Sequence, residues 1–335
     1  MGPLVSIIID NFNYERFVGA AIDSALAQSY APVEVIVVDD GSTDSSREVI
    51  AGYGESVRAV IKPNGGHASA FNAGFAASRG EIVIFLDADD LLLADAVAET
   101  VGIWRPGVSK VQWVLASVDA NLRPLGTTVP YSRDAMPSGD LRQTVIERAR
   151  YVTPPTSGNA FARALLKQLM PLSEAFWHQS AEMPLWLLAP FFGDVVSIPK
   201  VLGFYRVHGQ NHGAMTDLDY RKLRVKLIFD WQRTFTLLNF LSNRGIKTDG
   251  QWLRSDSGHW KYRMASLCLD RERHMILDDS RASVARRGVQ AAWRDPALSW
   301  KSKTFHTLWF PAMAVAPHTL AQRLARRTLV PKTRT

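Results

Sequence analysis

The stretch EVIVVDDGSTD, residues 34–44, joins an apolar run to a turn rich in Asp, Gly and Ser. The run predicts a β-strand over Glu34–Asp39, and the turn leads into a helix that begins near Asp44. The polar side chains of the turn are suited to hydrogen-bonding a base or a ribose at a sheet edge. They also fit a plain strand-to-helix turn in which Ser42 or Asp44 caps the helix, and the two interpretations are compatible.

Apolar runs and helical patterns alternate on both sides of this stretch. Strands are predicted at Val5–Ile9, Val57–Ile61 and Glu81–Leu86, and helices over about Phe17–Ser29 and Ala68–Ser78. Short apolar strands separated by helices indicate an α/β fold with a mainly parallel, twisted sheet flanked by helices. Ligands of such sheets bind beyond the carboxyl ends of the strands. Acidic residues follow three strands there, so we expect Asp10, Asp40 and Asp87 to converge.

The remainder of the chain divides into two regions. A strand near Val111–Val118 and a helix near Leu141–Ala149 precede a mainly helical pattern over Ala162–Phe192 and two short strands, Val195–Ile198 and Leu202–Val207. After about Asp217 the pattern changes to helices with Arg-rich faces. We therefore predict an α/β domain over residues 1–215 and a helical, basic region over residues 216–335.

Composition narrows the class of protein. Of 335 residues, 47% are hydrophobic and 21% charged, which is typical of a globular chain with a large core. A single cysteine, Cys268, excludes an internal disulfide, and the N-terminus has no leader pattern, so a cytoplasmic location is expected. The longest apolar run, Phe305–Ala316, contains Pro311 and is shorter than the roughly 18 residues of a membrane span.

Asp87, Asp89 and Asp90 follow the strand that ends at Leu86. Two carboxylates two residues apart can bind a divalent cation such as Mg²⁺ or Mn²⁺, which prefers oxygen ligands and neutralises a diphosphate. The alternative is that these aspartates cap the next helix. The segment Asn64–Ala70 likewise fits either a Gly pair whose free N–H groups face ribose or phosphate, or a plain loop.

Taken in order, several segments resemble glycosyltransferase family 2, whose catalytic domain has the GT-A fold. The residues that carry the resemblance form six blocks: 5–9 with 11–13, 25–30, 34–44, 72–74, 78–81 and 85–90. A looser resemblance reaches residue 213 through 157–159, Glu182 with Trp186, and 205–212. It implies a nucleotide-binding half over residues 1–103 and an acceptor-side half over residues 104–215.

The resemblance implies roles for matching positions. The nucleotide-binding residues would be Asp10, Phe12, Asp40, Asn72 and Asp87. The metal ligands would be Asp87 and Asp89, with His208 completing the site, and Glu182 would be the catalytic base. This sequence departs from the family pattern in two places, because Asp10 replaces a proline and Ala181-Glu182 replaces a Glu-Asp pair. The first leaves the identity of the base open, because a carboxylate accepts N–H groups of more than one base.

Four other side chains have two interpretations each. His178 precedes Glu182 by four residues, so in a helix it would share the face of Glu182 and be a rival base. Arg206 would contact the diphosphate or lie as a surface charge on an edge strand. Trp177 and Trp186 would stack on an acceptor sugar or pack in the core.

The function implied is inverting, metal-dependent transfer from a UDP-sugar or a related nucleotide-diphosphate sugar to a hydroxyl of a glycan or lipid-linked acceptor in polysaccharide biosynthesis. The alternatives are a nucleotidyltransferase that makes a nucleotide sugar and a non-catalytic sugar-binding relic. The first needs a Gly-rich basic triphosphate loop, which Asn11–Arg16 is not. A dehydrogenase is disfavoured because no GxGxxG follows the first strand.

The basic C-terminal region has a net charge that suits anionic partners, and the whole chain carries a formal charge of +7. Trp300, Lys301, Leu308 and the arginines near residue 325 predict peripheral attachment to the inner face of an anionic membrane. The alternative is a helix packed on the catalytic domain with a solvated basic face. Nucleic acid is not an expected partner.

Overall fold

The computed structural model describes residues 2–130, 136–208, 211, 218–295 and 298–330. It divides into two compact units, Met1–His208 and Gly209–Thr335. The predicted domain boundary between residues 215 and 216 lies outside the described residues.

The first unit is built on a nine-stranded sheet. Its strands are β1 (Val5–Asn11), β2 (Val33–Asp40), β3 (Arg58–Lys62), β4 (Ile82–Asp87), β5 (Leu91–Leu92), β6 (Val108–Asp119), β7 (Pro124–Val129), β8 (Asn159–Ala162) and β9 (Asp194–Val207). The order is β3-β2-β1-β4-β8-β6-β9-β5, with β7 paired to β6. Strands β1 to β4 are mutually parallel and β9 is parallel to β6, whereas β5, β7 and β8 pair antiparallel.

Seven helices accompany the sheet in the described part of this unit: α1 (Val18–Leu26), α2 (Ser46–Ala51), α3 (His67–Ala77), α4 (Ala96–Gly102), α5 (Arg142–Arg148), α6 (Arg163–Leu169) and α7 (Glu182–Leu188). The apolar runs of β1, β2 and β4 are almost wholly buried, as expected of strands covered on both faces. Helix α3 packs directly on the sheet at Gly74, where an added Cβ would lie 2.3 Å from Ile8 Cγ2. The predicted α/β class with a mainly parallel sheet is therefore confirmed.

The register of the central strands aligns their polar ends. Asp10 of β1 lies opposite Asp87 of β4, and Asn11 lies opposite Asp39 of β2. Asp44 follows β2 and accepts the N–H of Ser46, the first residue of α2, at 3.0 Å. The N-cap position itself is Ser45, so neither Ser42 nor Asp44 is the cap residue.

Two predictions of secondary structure differ from the structure in part. The two short strands after residue 194 form one strand, β9, because they pair along the whole length of β6 through local register shifts. The segment Ala162–Phe192 is helical at its two ends, in α6 and α7 with the 3₁₀ turn that follows, but residues 170–181 between them lie in turns and irregular backbone. His178 belongs to this part, so the expected helical face shared with Glu182 does not exist.

The second unit is helical, as predicted. Its helices are α8 (Tyr220–Ser242), α9 (Ser257–Leu269), α10 (Arg281–Arg294), α11 (Trp300–Val315) and α12 (His318–Leu329). Asp256 caps α9 by accepting the N–H groups of Gly258 and His259. The core includes Met264, Phe310 and Met313. In the part of the chain that the structure describes, no helix is long and apolar enough to cross a bilayer.

Candidate active site

Four aspartates gather where β1 and β4 end. Carboxylate oxygens of Asp87, Asp89 and Asp90 all lie within 4.8 Å of one another, and a second group of the same size joins Asp87 to Asp10 and His67. Burial, and then the charge of Asp89, raise the pKa of Asp10 to about 8. Burial and the neighbouring carboxylates also raise the pKa values of Asp87 and Asp90 well above their usual range. Crowded buried carboxylates of this kind favour binding of a cation, which removes their mutual repulsion.

His208 approaches this cluster through Asp89. Its Nε2 lies 2.8 Å from Asp89 Oδ2, and its side chain is only 4% exposed. The imidazole packs against Phe17, with ring centroids 4.9 Å apart, and edge-on against Tyr14 at 5.6 Å. Burial and the charge of Asp89 raise the pKa of Tyr14, so its hydroxyl stays protonated. The aromatic side chains therefore hold His208 against one of the predicted metal ligands.

Arg206 braces the turn that carries these aspartates. Its backbone N–H donates to Asp90 Oδ1 at 2.9 Å, and its Nε donates to the carbonyl oxygen of Asp89 at 2.7 Å. The guanidinium is buried and lies over the ring of Phe17, 4.7 Å from its centroid. Ser157 completes the brace by donating its hydroxyl to Asp90 Oδ2 at 2.7 Å. The interpretation of Arg206 as a surface charge on an edge strand is therefore wrong, because β9 lies between β6 and β5.

His67 is the residue that the sequence analysis missed. It begins α3, and its Nε2 lies 3.4 Å from Asp10 Oδ2 while its Nδ1 lies 3.6 Å from Glu182 Oε2. The backbone N–H of Ala181 donates to Nδ1 at 3.3 Å. The ring thus lies between the carboxylates of Asp10 and Glu182. A histidine that opens a helix just after a Gly pair was the available signal.

Glu182 lies in the first turn of α7, with its side chain 26% exposed, and its charge contributes to raising the pKa of Asp10. The structure therefore places Glu182 near Asp10, and its role as the catalytic base stays a prediction. The rival base, His178, packs instead over Gly66, where an added Cβ would lie 2.2 Å from His178 Nδ1. Gly66 has φ +85°, a left-handed conformation that glycine adopts without strain.

Asp40 holds the loop that precedes α3. Its carboxylate accepts from Lys62 Nζ and from the backbone N–H groups of Gly65 and Gly66. The Gly pair is therefore a plain loop whose N–H groups bind Asp40, and the expectation that they are free for phosphate was wrong. These protein donors occupy the oxygens of Asp40. A contact between Asp40 and a nucleoside stays a prediction.

The remaining side chains with predicted ligand contacts differ in how accessible they are. Asn72 donates its amide N–H to the carbonyl oxygen of Leu172 at 2.9 Å and accepts the N–H of Leu172 at 2.8 Å. This geometry gives Asn72 a role in anchoring the segment before α7 and does not support a nucleotide contact. Phe12 follows β1 and is 45% exposed, so its ring is accessible to a ligand. Trp177 is buried in the core, which fits its packing interpretation, and the backbone carbonyl of Trp186 accepts a hydrogen bond from Tyr151.

Residues 6–160 match the model of the family described as glycosyl transferase family 2. An uncharacterised glycosyltransferase of Nostoc sp. is 36% identical over 216 residues, covering 62% of this chain and 66% of the relative. The chain thus spans slightly less than two thirds of this relative, and about a third of two Rickettsia glycosyltransferases.

Two solved structures share the fold. Residues 1–349 of S. aureus TarS in complex with UDP give a TM-score of 0.53 at 17% identity, covering 96% of this chain and 91% of the other. The mannosyltransferase PcManGT from Pyrobaculum calidifontis, in complex with GDP-Man and Mn²⁺, gives a TM-score of 0.51 at 16% identity, covering 97% and 84%. At these identities the likeness concerns the fold alone.

Proposed function

Because this chain belongs to glycosyltransferase family 2 and has the GT-A fold, we propose that it transfers a sugar from a UDP-sugar to a hydroxyl group of a glycan or lipid-linked acceptor. The resemblance read from the six sequence blocks is correct at the level of the family. The observation that carries the proposal is the cluster of Asp10, Asp87, Asp89 and Asp90 at the carboxyl ends of two parallel strands. Among structures with this fold, TarS was solved with UDP and with UDP-GlcNAc and PcManGT with GDP-Man, so the fold fits a nucleotide-diphosphate sugar, and the choice of UDP is part of the proposal.

The donor atoms of this cluster suit Mn²⁺ or Mg²⁺. Carboxylate oxygens are the ligands that hard divalent cations prefer. In the described part of the chain, Asp10 Oδ1 is buried and accepts no hydrogen bond. The cluster therefore contains a carboxylate oxygen whose lone pairs can face a cation. Asp87 and Asp89 would hold the cation, with His208 beside Asp89. Such a cation supplies neutralisation of the diphosphate charge as the sugar departs.

Glu182 is the proposed general base. An acceptor hydroxyl is a weak nucleophile at neutral pH, so its proton must be removed as the new glycosidic bond forms. The carboxylate of Glu182, in the first turn of α7, is the proposed acceptor of that proton. Attack by the hydroxyl on the face opposite the leaving diphosphate inverts the anomeric centre in one displacement.

Metal dependence is tested first. The Asp89→Asn variant keeps the shape of the side chain but removes its charge, and Asp95→Asn makes the same change at an exposed position at the start of α4. Nucleotide-diphosphate binding with Mn²⁺ or Mg²⁺, followed by donor hydrolysis over a panel of sugars, should be lost in Asp89→Asn and in EDTA but kept in Asp95→Asn. Full activity of native protein in EDTA would refute the role of the cation.

Peripheral attachment to an anionic membrane is the second part of the proposal. Helix α11 leaves large apolar side chains in solvent: Trp300 is 71%, Leu308 70% and Val315 84% exposed. Exposed cations lie on the same helix and on α12, at Lys301, Arg323, Arg326 and Arg327. An apolar face beside basic residues fits insertion into an anionic lipid surface.

Liposome co-sedimentation tests this attachment. Vesicles that contain phosphatidylglycerol should pellet the native protein, and they should pellet less of the Leu308→Ser variant. Vesicles of phosphatidylcholine alone should not pellet the native protein. Leu277→Ser is the matched control, because Leu277 is 95% exposed and lies outside α11. Equal loss in both leucine variants, or equal pelleting with both lipids, would contradict the proposal.

A further inference from the structure

The helical unit contains a basic cavity that the proposed function does not use. Its volume is about 340 Å³, and it is lined by Arg254, Trp260, Arg287, Gln290 and Arg294. The last three lining residues are spaced by three and four positions on α10, so they share one face of that helix. Arg254 comes from the short 3₁₀ turn Trp252–Ser255, and Trp260 comes from α9.

Trp260 forms a fixed wall of this cavity. It is buried, and its indole N–H donates to the carbonyl oxygen of Leu253 at 2.8 Å, which fastens the 3₁₀ turn to α9. The guanidinium of Arg287 lies 6.0 Å from the centre of the indole ring, at the outer limit of a cation–π contact. A rigid aromatic wall therefore carries one of the arginines on its face.

The positive charge of the cavity is not balanced by the protein. Within the described ranges, Arg254, Arg287 and Arg294 have no carboxylate within ion-pair distance. Aspartates of the same unit are engaged elsewhere, because Asp256 pairs with Arg233 and Asp279 with Arg263. Three guanidinium groups around one cavity repel each other, and a bound anion relieves that repulsion.

We propose that this cavity binds a phosphate group carried by a saccharide or by a lipid. Guanidinium groups match phosphate oxygens in paired hydrogen bonds, and a phosphate monoester carries about −1.5 to −2 charges, more than a single carboxylate. The size of the cavity suits a group of small-molecule size. Gln290 adds neutral donor and acceptor atoms suited to the hydroxyl groups of an attached sugar or glycerol.

Binding is measured on the full chain in EDTA, so that the aspartate cluster of the first unit holds no divalent cation. The probes are inorganic phosphate and glucose 6-phosphate by calorimetry, with glucose as the phosphate-free comparison, and phosphatidylglycerol vesicles by co-sedimentation. The Arg287→Ala and Arg294→Ala variants should each weaken binding roughly tenfold or more, because each removes a charge-assisted hydrogen-bond donor. Arg287→Lys should weaken it in the same direction, since lysine keeps the charge but loses the planar fork.

Arg286→Ala is the matched control, because Arg286 is exposed on the same helix and does not line the cavity. Soluble phosphates that bind with dependence on Arg287 support a saccharide source. Vesicle binding alone, with the same dependence, supports a lipid source. An equal loss of binding in Arg286→Ala would show that only net charge matters and would overturn the site. The site would also be overturned if the native protein bound neither the soluble phosphates nor the vesicles.

Discussion

Replacing Glu182 with glutamine tests the catalytic assignment most directly. The side chain keeps its length and polarity at the start of α7, where it is 26% exposed, but it can no longer accept a proton. Folding should therefore be retained. The aspartates that we propose to bind the donor belong to β1, β4 and the turn after β4, so donor affinity should stay close to native.

The expected loss follows from the position of the carboxylate. Glu182 Oε2 lies 3.6 Å from His67 Nδ1, beyond ordinary hydrogen-bond length, and the ring nitrogen already accepts from Ala181. Glu182 is therefore the group that we expect to take the proton from the acceptor hydroxyl. General-base assistance contributes about 10²–10⁴ in rate, or roughly 2.7–5.4 kcal/mol, and turnover should fall by that factor.

The assay measures release of the nucleoside diphosphate at saturating donor and acceptor, with donor binding measured separately by calorimetry. Glu174→Gln makes the same chemical change at an exposed position of the preceding segment and should leave turnover unchanged. Glu182→Asp retains a carboxylate on a shorter arm and should retain part of the activity.

Two results would contradict the proposed mechanism with Glu182 as the base. Turnover of Glu182→Gln within about threefold of native, well below the usual contribution of a general base, would move the role to another residue. A product that retains the α-linkage of an α-linked donor, seen by NMR, would refute direct displacement even if Glu182 proved essential.

Three further predictions concern stability. Asn72→Ala removes both hydrogen bonds to Leu172 and should lower the free energy of unfolding by about 1–3 kcal/mol; an unchanged denaturation midpoint would contradict this anchoring role. Burial lowers the pKa of His306 to about 4 from 6.5, so the stability that its neutral ring contributes is present above pH 6.5 and is lost as pH falls toward 4. His306→Phe should flatten the melting temperature over that interval, and a slope equal to native would argue against the shift. Gly66→Ala should destabilise the first unit, because its φ of +85° and the ring of His178 both oppose a Cβ, and a native melting temperature would show that the loop adapts.

Much of the first unit could be predicted because its pattern is local. The apolar runs around Ile7, Val37 and Ile84 indicate buried parallel strands, and the acidic residues that follow them must meet at one sheet edge. Asp10, Asp40 and Asp87 were expected to converge on this basis. The structure places Asp10 and Asp87 in the cluster with Asp89 and Asp90, whereas the carboxylate of Asp40 binds the loop before α3. The segment between residues 170 and 181 was harder, because its apolar residues pack by tertiary contact without a helical period.

Contacts between distant residues could not be read from any local pattern. His67 lies 57 positions from Asp10 and 115 from Glu182, and it meets both only because α3 and α7 begin at the same end of the sheet. Arg206 looks like a surface charge in sequence and is buried against Asp89 because β9 runs beside β6.

Local patterns were enough to predict the order of strands and helices, the α/β class and the acidic strand ends, because side-chain periodicity and turn chemistry act over a few neighbouring residues. The tertiary structure alone decided which polar atoms face each other. In the folded chain the N–H groups of Gly65 and Gly66 donate to the carboxylate of Asp40, and His67 lies between the carboxylates of Asp10 and Glu182. The tertiary structure also left Arg254, Arg287 and Arg294 around one cavity. Such pairings depend on packing between elements far apart in the chain, and burial then makes each unpaired charge costly enough to matter.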